Sequence, residues 1–298
     1  MSDAPATSAE SENPYAVIRR GRRTPLRAMG RAERRLKEAP KIALVVGTFA
    51  AVPYVHLHLE TRRRLYPDVP MLVHDDHSPQ GGELAELCGR HGAEFATTAT
   101  RFPACKGDLS AFVCGLVWAR ECGADILVKM SRRFLPKIRW VDGLAALVQE
   151  ADYATYSAWT TSFDFGFRTE CLALDVEEWF ARGLVDQMIA AIHAPGSPFV
   201  EGFMHGLARQ AAAGNSAAAR AYDGRIGHRP KNREGYAVWA FMGTDRRARS
   251  ADYLWHDAAE PADYHAVAVG WGLKYDAADF ANPNMGHGVK PETWTEPA

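Results

Sequence analysis

Three short apolar runs constrain this chain more than anything else in it. Residues 41–49 (KIALVVGTF), 71–76 (MLVHDD) and 125–130 (DILVKM) each hold an apolar stretch without polar alternation, β-branched for the most part in 42–46. A strand with one wet face alternates, whereas one that reads apolar throughout is buried on both faces. The segments between the runs have the helical period. In DLSAFVCGLVWAREC (108–122), Leu109, Phe112, Val113, Leu116 and Val117 fall on one helical face, and Asp108 stands where it can cap the N-terminus. Val55, Leu59 and ETRRRL predict a helix after the first run. ELAELCGRHG (83–92) predicts one after the second, leading to a shorter strand near EFATT (94–98). Strand and helix alternating at this spacing predict an α/β fold, a mostly parallel sheet flanked by helices. In such sheets ligands bind at the carboxyl ends of the strands. Those ends carry Thr48 and Phe49, Asp75 and Asp76, and Ser131, Arg132 and Arg133, which are expected to face one crevice.

Beyond residue 150 the pattern loosens. DYATYSAW (152–159) and FGFRTECLALD (165–175) read as strands, and VEEWFARGLVDQMIAAIHA (176–194) and FVEGFMHGLARQAAA (199–213) as helices. The C-terminal quarter is rich in Gly, aromatics, His and Asp with few periodic segments, a composition suited to substrate-binding loops. Residues 1–13 are small and polar and are expected to be disordered. Residues 19–37 are dense in arginine and read either as a solvated arm or as a patch for anionic lipid headgroups. The expected organisation is a basic arm (1–40) and one domain (41–298).

Charge excludes some partners. With 36 acidic against 35 basic residues the chain has no overall attraction for nucleic acid. No apolar run reaches the roughly 20 residues that span a bilayer. The five cysteines are odd in number without a C-x-x-C pair, which predicts reduced thiols and a cytoplasmic protein. There is no G-x-S-x-G, G-x-x-x-x-G-K-[ST], H-E-x-x-H or G-x-G-x-x-G sequence, so hydrolase, P-loop and dehydrogenase chemistries have no support.

The order of a strand ending in GTF, a strand ending in VHDDHS, a helix opened near Gly107-Asp108, ADILVKM and then Pro136 resembles the nucleotide-binding half of GT-A fold glycosyltransferases of the family 2 type. The resemblance covers residues 41–140, with 141–298 as the acceptor half. It implies transfer of a sugar from a nucleotide-diphosphate donor to a hydroxyl of a glycan or lipid-linked acceptor, as in polysaccharide biosynthesis, with inversion. It further implies that Asp75 and Asp76 contact the nucleoside, where a carboxylate accepts charge-assisted hydrogen bonds from a base N–H or ribose hydroxyls. Asp76 reads equally as an Asx-type loop cap, and Asp108 as a nucleotide contact or a helix cap. His74 and His77 flank the acids without ligand spacing around them. His56 and His58 lie two apart on different helical faces, so they make poor co-ligands.

The family's metal-binding Asp-X-Asp would fall on Ser131, Arg132 and Arg133. A hydroxyl and two guanidiniums make a poor cation site, so no divalent-metal cofactor is expected there. Guanidiniums can instead stabilise a departing diphosphate by bidentate bonds. Arg133 is the first choice and Lys129, which shares its parity if the segment stays extended, the second; Arg132 falls on the other face and is a further candidate. The other reading is a dead site that binds a nucleotide sugar without catalysis. A nucleotidyltransferase is a third reading, weakened by the absence of a Gly-rich basic loop after the first strand. Glu201, at the start of a helix, is the candidate base for the acceptor hydroxyl, with Asp164 as the alternative. Arg168, Trp255, His256 and Trp271 are candidates for acceptor or phosphate binding, the aromatic rings reading equally as core.

Overall fold

The computed structural model describes residues 39–150, 153–158, 168–196, 198–212, 237–238, 252–255 and 259–281. The three apolar runs are parallel neighbours in one sheet. β1 (Ile42–Thr48) pairs with β2 (Met71–Asp75) on one side and β4 (Ile126–Ser131) on the other, and β3 (Glu94–Thr97) pairs with β2, all in parallel. Beyond β4, β7 (Cys171–Asp175) runs antiparallel, followed by β6 (Thr155–Ser157) and β8 (Ala237–Val238), giving the order β3-β2-β1-β4-β7-β6-β8. The α/β fold with a mostly parallel sheet is therefore as expected. β5 (Leu135–Pro136) and β9 (Tyr253–Leu254) form a separate antiparallel pair.

Side-chain alternation along the strands feeds two cores. Leu44, Val46, Val73, Val128 and Met130 face α1 (Val52–Leu65), α2 (Gly81–Arg90) and α4 (Val141–Glu150). Val45, Leu127, Leu172 and Leu174 face α3 (Ala104–Glu121), α5 (Val176–Ala181), α6 (Leu184–His193) and α7 (Val200–Ala212). Leu109, Phe112, Val113 and Leu116 are all buried in this second core, as the spacing predicts. A third cluster joins Tyr54 and Leu57 of α1 to α8 (Pro261–Gly270) and to the 3-10 turn Ala277–Phe280. All five cysteines are free, and Cys88, Cys114 and Cys171 are buried.

The structure corrects several local expectations. α3 starts at Ala104 with Pro103 at its N-cap, so Asp108 lies inside the helix and does not cap it. The helix expected over 176–194 divides at Gly183, whose φ of 66° is left-handed and interrupts the helical hydrogen bonds. Of the two long strands expected after residue 150, only 155–157 and 171–175 are paired among the described residues. α4 and α8 were not anticipated.

Where α3 crosses the sheet, Gly115 allows close approach. A Cβ there would lie 2.6 Å from Val45 Cγ1 and 3.0 Å from Leu127 Cδ2. Alanine favours a helix over glycine by about 1 kcal/mol, but overpacking of a rigid core costs about 1–3 kcal/mol. Overpacking wins: Gly115→Ala is expected to lower the urea midpoint at unchanged m-value, and a raised midpoint would show that the interface relaxes freely.

Candidate functional site

The chain passes from β1 outward to β2 and β3, then returns to the other side of β1 as β4. This reversal leaves a crevice beyond the carboxyl ends of β1 and β4, the usual ligand position in an open α/β sheet. The loop after β1 holds Ala50 at φ 47° and the loop after β2 holds His77 at φ 54°. Left-handed backbone at non-glycine residues is costly and gathers at functional sites.

Buried polar atoms that lack protein partners lie along the same edge: Thr48 Oγ1, Asp75 Oδ1, Asp108 Oδ2 and Arg132 Nε. Such atoms are rare in folded proteins because each forfeits its hydrogen bond to water. Asp75 uses its other oxygen, Oδ2, to accept from the Ser78 backbone N–H at 2.8 Å and from Thr97 Oγ1 at 3.4 Å. Asp76 Oδ1 accepts from Phe102 N at 3.1 Å and Thr98 Oγ1 at 3.3 Å, tying down the loop that precedes α3. Burial pushes both carboxyls up from the ordinary range. Asp76 is thus both a loop tie and a strand-end acid, and Gly107 leaves room for its carboxylate where any Cβ would collide.

Lys129 does not reach the crevice as a free cation. It is fully buried, ion-paired to Asp108, 3.2 Å from the Thr169 carbonyl and 4.7 Å from the Phe112 ring centre. The extended geometry assumed for residues 131–133 ends at Ser131, where the Phe134 N–H donates to the Ser131 carbonyl at 3.0 Å and closes a turn. The turn sets the two arginines apart. Arg132 points inward and donates through Nη1 to the Phe49 carbonyl at 2.7 Å, bridging the ends of β4 and β1. Burial, with Arg133 and Arg101 nearby, brings its guanidinium down to about 10. Arg133 is half-buried, and its carbonyl accepts from the Tyr264 hydroxyl at 2.6 Å.

Arg101 is the residue that sequence reasoning missed. Its guanidinium lies 3.8 Å from the Phe49 ring centre, and its charge acts on both Asp76 and Arg132. Three guanidiniums thus share one strand-end region. Arg101 sits in an irregular loop after β3 without periodicity to mark it; only its closeness to the helix-opening Pro103 was visible.

The acceptor-side candidates separate. Arg168 pairs with Glu170 at 3.2 Å, and its Nε lies 4.0 Å from Glu201 in the first turn of α7. The Glu170 carbonyl accepts from Ser131 N at 2.7 Å, so Glu201 is linked to the end of β4. Trp255 is buried in the core beneath α1 and α4. Trp271 contacts Arg64 at the C-terminal end of α1, about 20 Å from the crevice at 1.5 Å per residue along the helix. Asp164, His256 and residues 19–37 lie outside the described residues.

Two buried histidines support this edge. His58 Nε2 donates to the Arg132 carbonyl at 3.1 Å while Nδ1 has no partner, and His74 Nε2 lies 3.1 Å from Ser110 Oγ. Burial lowers both from 6.5 to about 4. A depressed histidine stabilises the fold above pH 6.5, and that stability is lost as pH falls toward 4, because the unfolded chain takes up the proton first. The raised Asp75 and Asp76 carboxyls act in the opposite sense. His58→Gln, which keeps a donor for the Arg132 carbonyl, is expected to flatten the slope of unfolding free energy between pH 6.5 and 4. The change is about 1.4 kcal/mol per pH unit; equal slopes would show that His58 does not titrate with unfolding.

No protein-family model matches the chain, and no curated protein matches it. Among solved structures it is similar to the mannosyltransferase PcManGT from Pyrobaculum calidifontis in complex with GDP-Man and Mn2+. The two share 16% identity over 86% of this chain and 73% of that one, with a TM-score of 0.45. Glucosyl-3-phosphoglycerate synthase from Mycobacterium tuberculosis, with Mn2+, UDP and glucosyl-3-phosphoglycerate, is 14% identical over 53% of this chain and 64% of that one, TM-score 0.38. The glycosyltransferase GlyE of Streptococcus pneumoniae is 10% identical over 70% and 46%, TM-score 0.41. This chain therefore spans less than two thirds of the latter two.

The expectation that the protein takes no divalent metal is corrected at this point. Here His56, Glu60 and His91 bring one ligand atom each within 4.8 Å of the others, a group that could hold an ion. Sequence reasoning weighed His56 only against His58. It overlooked Glu60, four residues on and therefore on the same helical face, and could not foresee His91 arriving from the end of α2.

Among the described residues no helix is long and apolar enough to cross a membrane.

Proposed function

We propose that this protein is a glycosyltransferase that moves a sugar from a nucleotide-diphosphate donor to a hydroxyl acceptor, by a single displacement with inversion. One observation carries the reading: unpartnered buried polar atoms on Thr48, Asp75, Asp108 and Arg132 lie along the strand ends together with the guanidiniums of Arg101, Arg132 and Arg133. A nucleoside presents hydrogen-bond donors and acceptors, and a diphosphate presents concentrated negative charge; this edge offers partners for both. Thr48 and the free oxygen of Asp75 are suited to the nucleoside, and Asp76 to fixing the loop that carries Arg101. The guanidiniums are suited to the diphosphate, holding it on binding and stabilising the charge that grows as the glycosidic bond breaks. On the acceptor side Glu201, oriented by Arg168, is the group proposed to accept the proton of the attacking hydroxyl. A glycan or a lipid-linked glycan is the proposed acceptor class.

The test is a screen of the full chain against UDP-, GDP- and dTDP-sugars, with a CMP-sugar as the single-phosphate comparison. Thermal stabilisation and slow donor hydrolysis are followed, with Glu201→Gln alongside. The reading requires stabilisation by a diphosphate donor and loss of transfer, with binding retained, in Glu201→Gln. Stabilisation without turnover in any acceptor mixture would favour a non-catalytic nucleotide-sugar-binding protein. No response to any donor would remove the reading altogether.

A further inference from the structure

We infer that His56, Glu60 and His91 form a zinc-type metal site that fastens the C-terminal segment 259–281 to α1 and α2, apart from the crevice. His56 and Glu60 lie one turn apart on α1, and His91 is the residue that ends α2. Their ligand atoms lie within 4.8 Å of one another, and His91 Nδ1 is 3.7 Å from Glu60 Oε1. Around an ion with bonds of about 2.0–2.1 Å, tetrahedral ligands sit about 3.3 Å apart, so a small inward movement closes the site. The two imidazole rings meet edge to face at 5.0 Å between centres. From the C-terminal segment, the Tyr275 hydroxyl lies 2.9 Å from His56 Nδ1 and its ring packs edge-on against the same imidazole. A side chain that orients a ligating histidine is the usual outer layer of such a centre.

The charges around the cluster decide which ion fits. Glu60 Oε2 accepts from Arg63 Nη2 at 2.7 Å and Arg64 Nε at 3.0 Å, whereas Oε1, which faces His91, accepts from Arg63 Nε at 3.0 Å. Both carboxylate oxygens accept from arginine, and Oε1 is the one that also lies 3.7 Å from His91 Nδ1. Arg62 and Arg90 add positive charge that opposes any cation. A hard ion needing an oxygen shell would gain too little against that charge. Two nitrogens and one carboxylate oxygen, with a fourth position open to water, suit Zn2+.

The segment that Tyr275 belongs to is already tied to α1, by the Tyr54 hydroxyl donating to the Phe280 carbonyl at 2.8 Å and by Arg64 Nη2 donating to the Trp271 carbonyl at 3.0 Å. Metal binding would add to this clamp, and its free energy would appear as stability. The inference does not depend on glycosyl transfer.

Chelator-treated full chain is titrated with Zn2+, then separately with Co2+ as a spectroscopic probe. One equivalent is expected to bind, raise the thermal midpoint by a few degrees, and give the intense visible bands of tetrahedral Co2+. His91→Ala should lose that equivalent and the bands, while His193→Ala, an exposed histidine on α6, should keep them. Should His91→Ala fail to fold, histidine acylation of the wild-type chain mapped by mass spectrometry replaces it, and Zn2+ should protect His56 and His91. No bound equivalent in the wild type, an undiminished equivalent in folded His91→Ala, or acylation at His56 and His91 unaffected by Zn2+ would each overturn the site.

Discussion

Asp108→Ala is expected to destabilise the protein by about 3 kcal/mol, while Lys129→Met changes its stability by less than about 1 kcal/mol. The asymmetry comes from exposure. The Lys129 side chain is fully buried, whereas Asp108 keeps 28% of its side-chain surface open. Without Asp108 the ammonium keeps only the Thr169 carbonyl at 3.2 Å and the face of Phe112. A cation–π contact contributes about 0.5–2 kcal/mol, less than the loss of a paired carboxylate at a buried charge. Without Lys129, Asp108 keeps 28% of its side-chain surface open to water, though Oδ2 stays buried, and methionine fills the lysine's space beside Phe112. Urea unfolding of the two single variants and the double variant checks this. The double variant should resemble Lys129→Met, because neither keeps the buried ammonium. A Lys129→Met that unfolds more easily than Asp108→Ala would refute the argument.

This pair also shows where the sequence stopped being legible. The strands at 42–48, 71–75 and 126–131 could be read because burial on both faces leaves a local mark, a run of aliphatic residues. The face of α3 could be read because its period is local too. Asp108 was read as either a cap or a nucleotide contact, since a polar residue before an apolar helix looks like a cap. Its actual partner comes from the middle of β4, 21 residues away, and only the packing of α3 against the sheet brings the two together. The antiparallel direction of β7 was hidden for the same reason: Cys171–Asp175 is a buried apolar run whose direction depends on the path between elements. At the site, Thr48, Asp75, Asp76 and Arg132 were all singled out because they follow legible strands. Arg101, and the meeting of His91 with His56 and Glu60, depend on loop paths and helix ends, for which one sequence carries no period. The aromatic residues were the least informative. Trp255 went to the core and Trp271 to the far end of α1, since a ring's sequence neighbours do not reveal what its face covers.

Arg132→Met is expected to lower kcat/KM for glycosyl transfer by about 10²–10³-fold, the scale of losing one transition-state donor, without lowering stability. Ordinarily the loss of a largely buried, hydrogen-bonded side chain costs stability. Here the charge itself is strained: burial, Arg133 and Arg101 bring Arg132 below the ordinary guanidinium range to about 10, a penalty of roughly 3 kcal/mol on the charged form. Methionine removes that penalty and the repulsion from its neighbours, but leaves the Phe49 carbonyl without its 2.7 Å donor, at about 1–3 kcal/mol. The two nearly cancel, with a small gain for the variant. The sign of the pH dependence follows. A base with a depressed folded-state value is a burden at neutral pH that begins to lift as pH rises through about 10, so the wild type should gain stability relative to Arg132→Met from about pH 10 upward. A donor diphosphate would relieve the same burden at neutral pH, so its thermal stabilisation of the wild type should exceed that of the variant. Arg132→Lys keeps a charge but loses the planar fork, and should fall between the two in turnover. The decisive comparison is turnover beside thermal stability in one preparation. An Arg132→Met protein that folds as well as wild type and transfers sugar at an undiminished rate would remove Arg132 from the site, whereas lost turnover with retained stability would place the strained guanidinium in the chemistry.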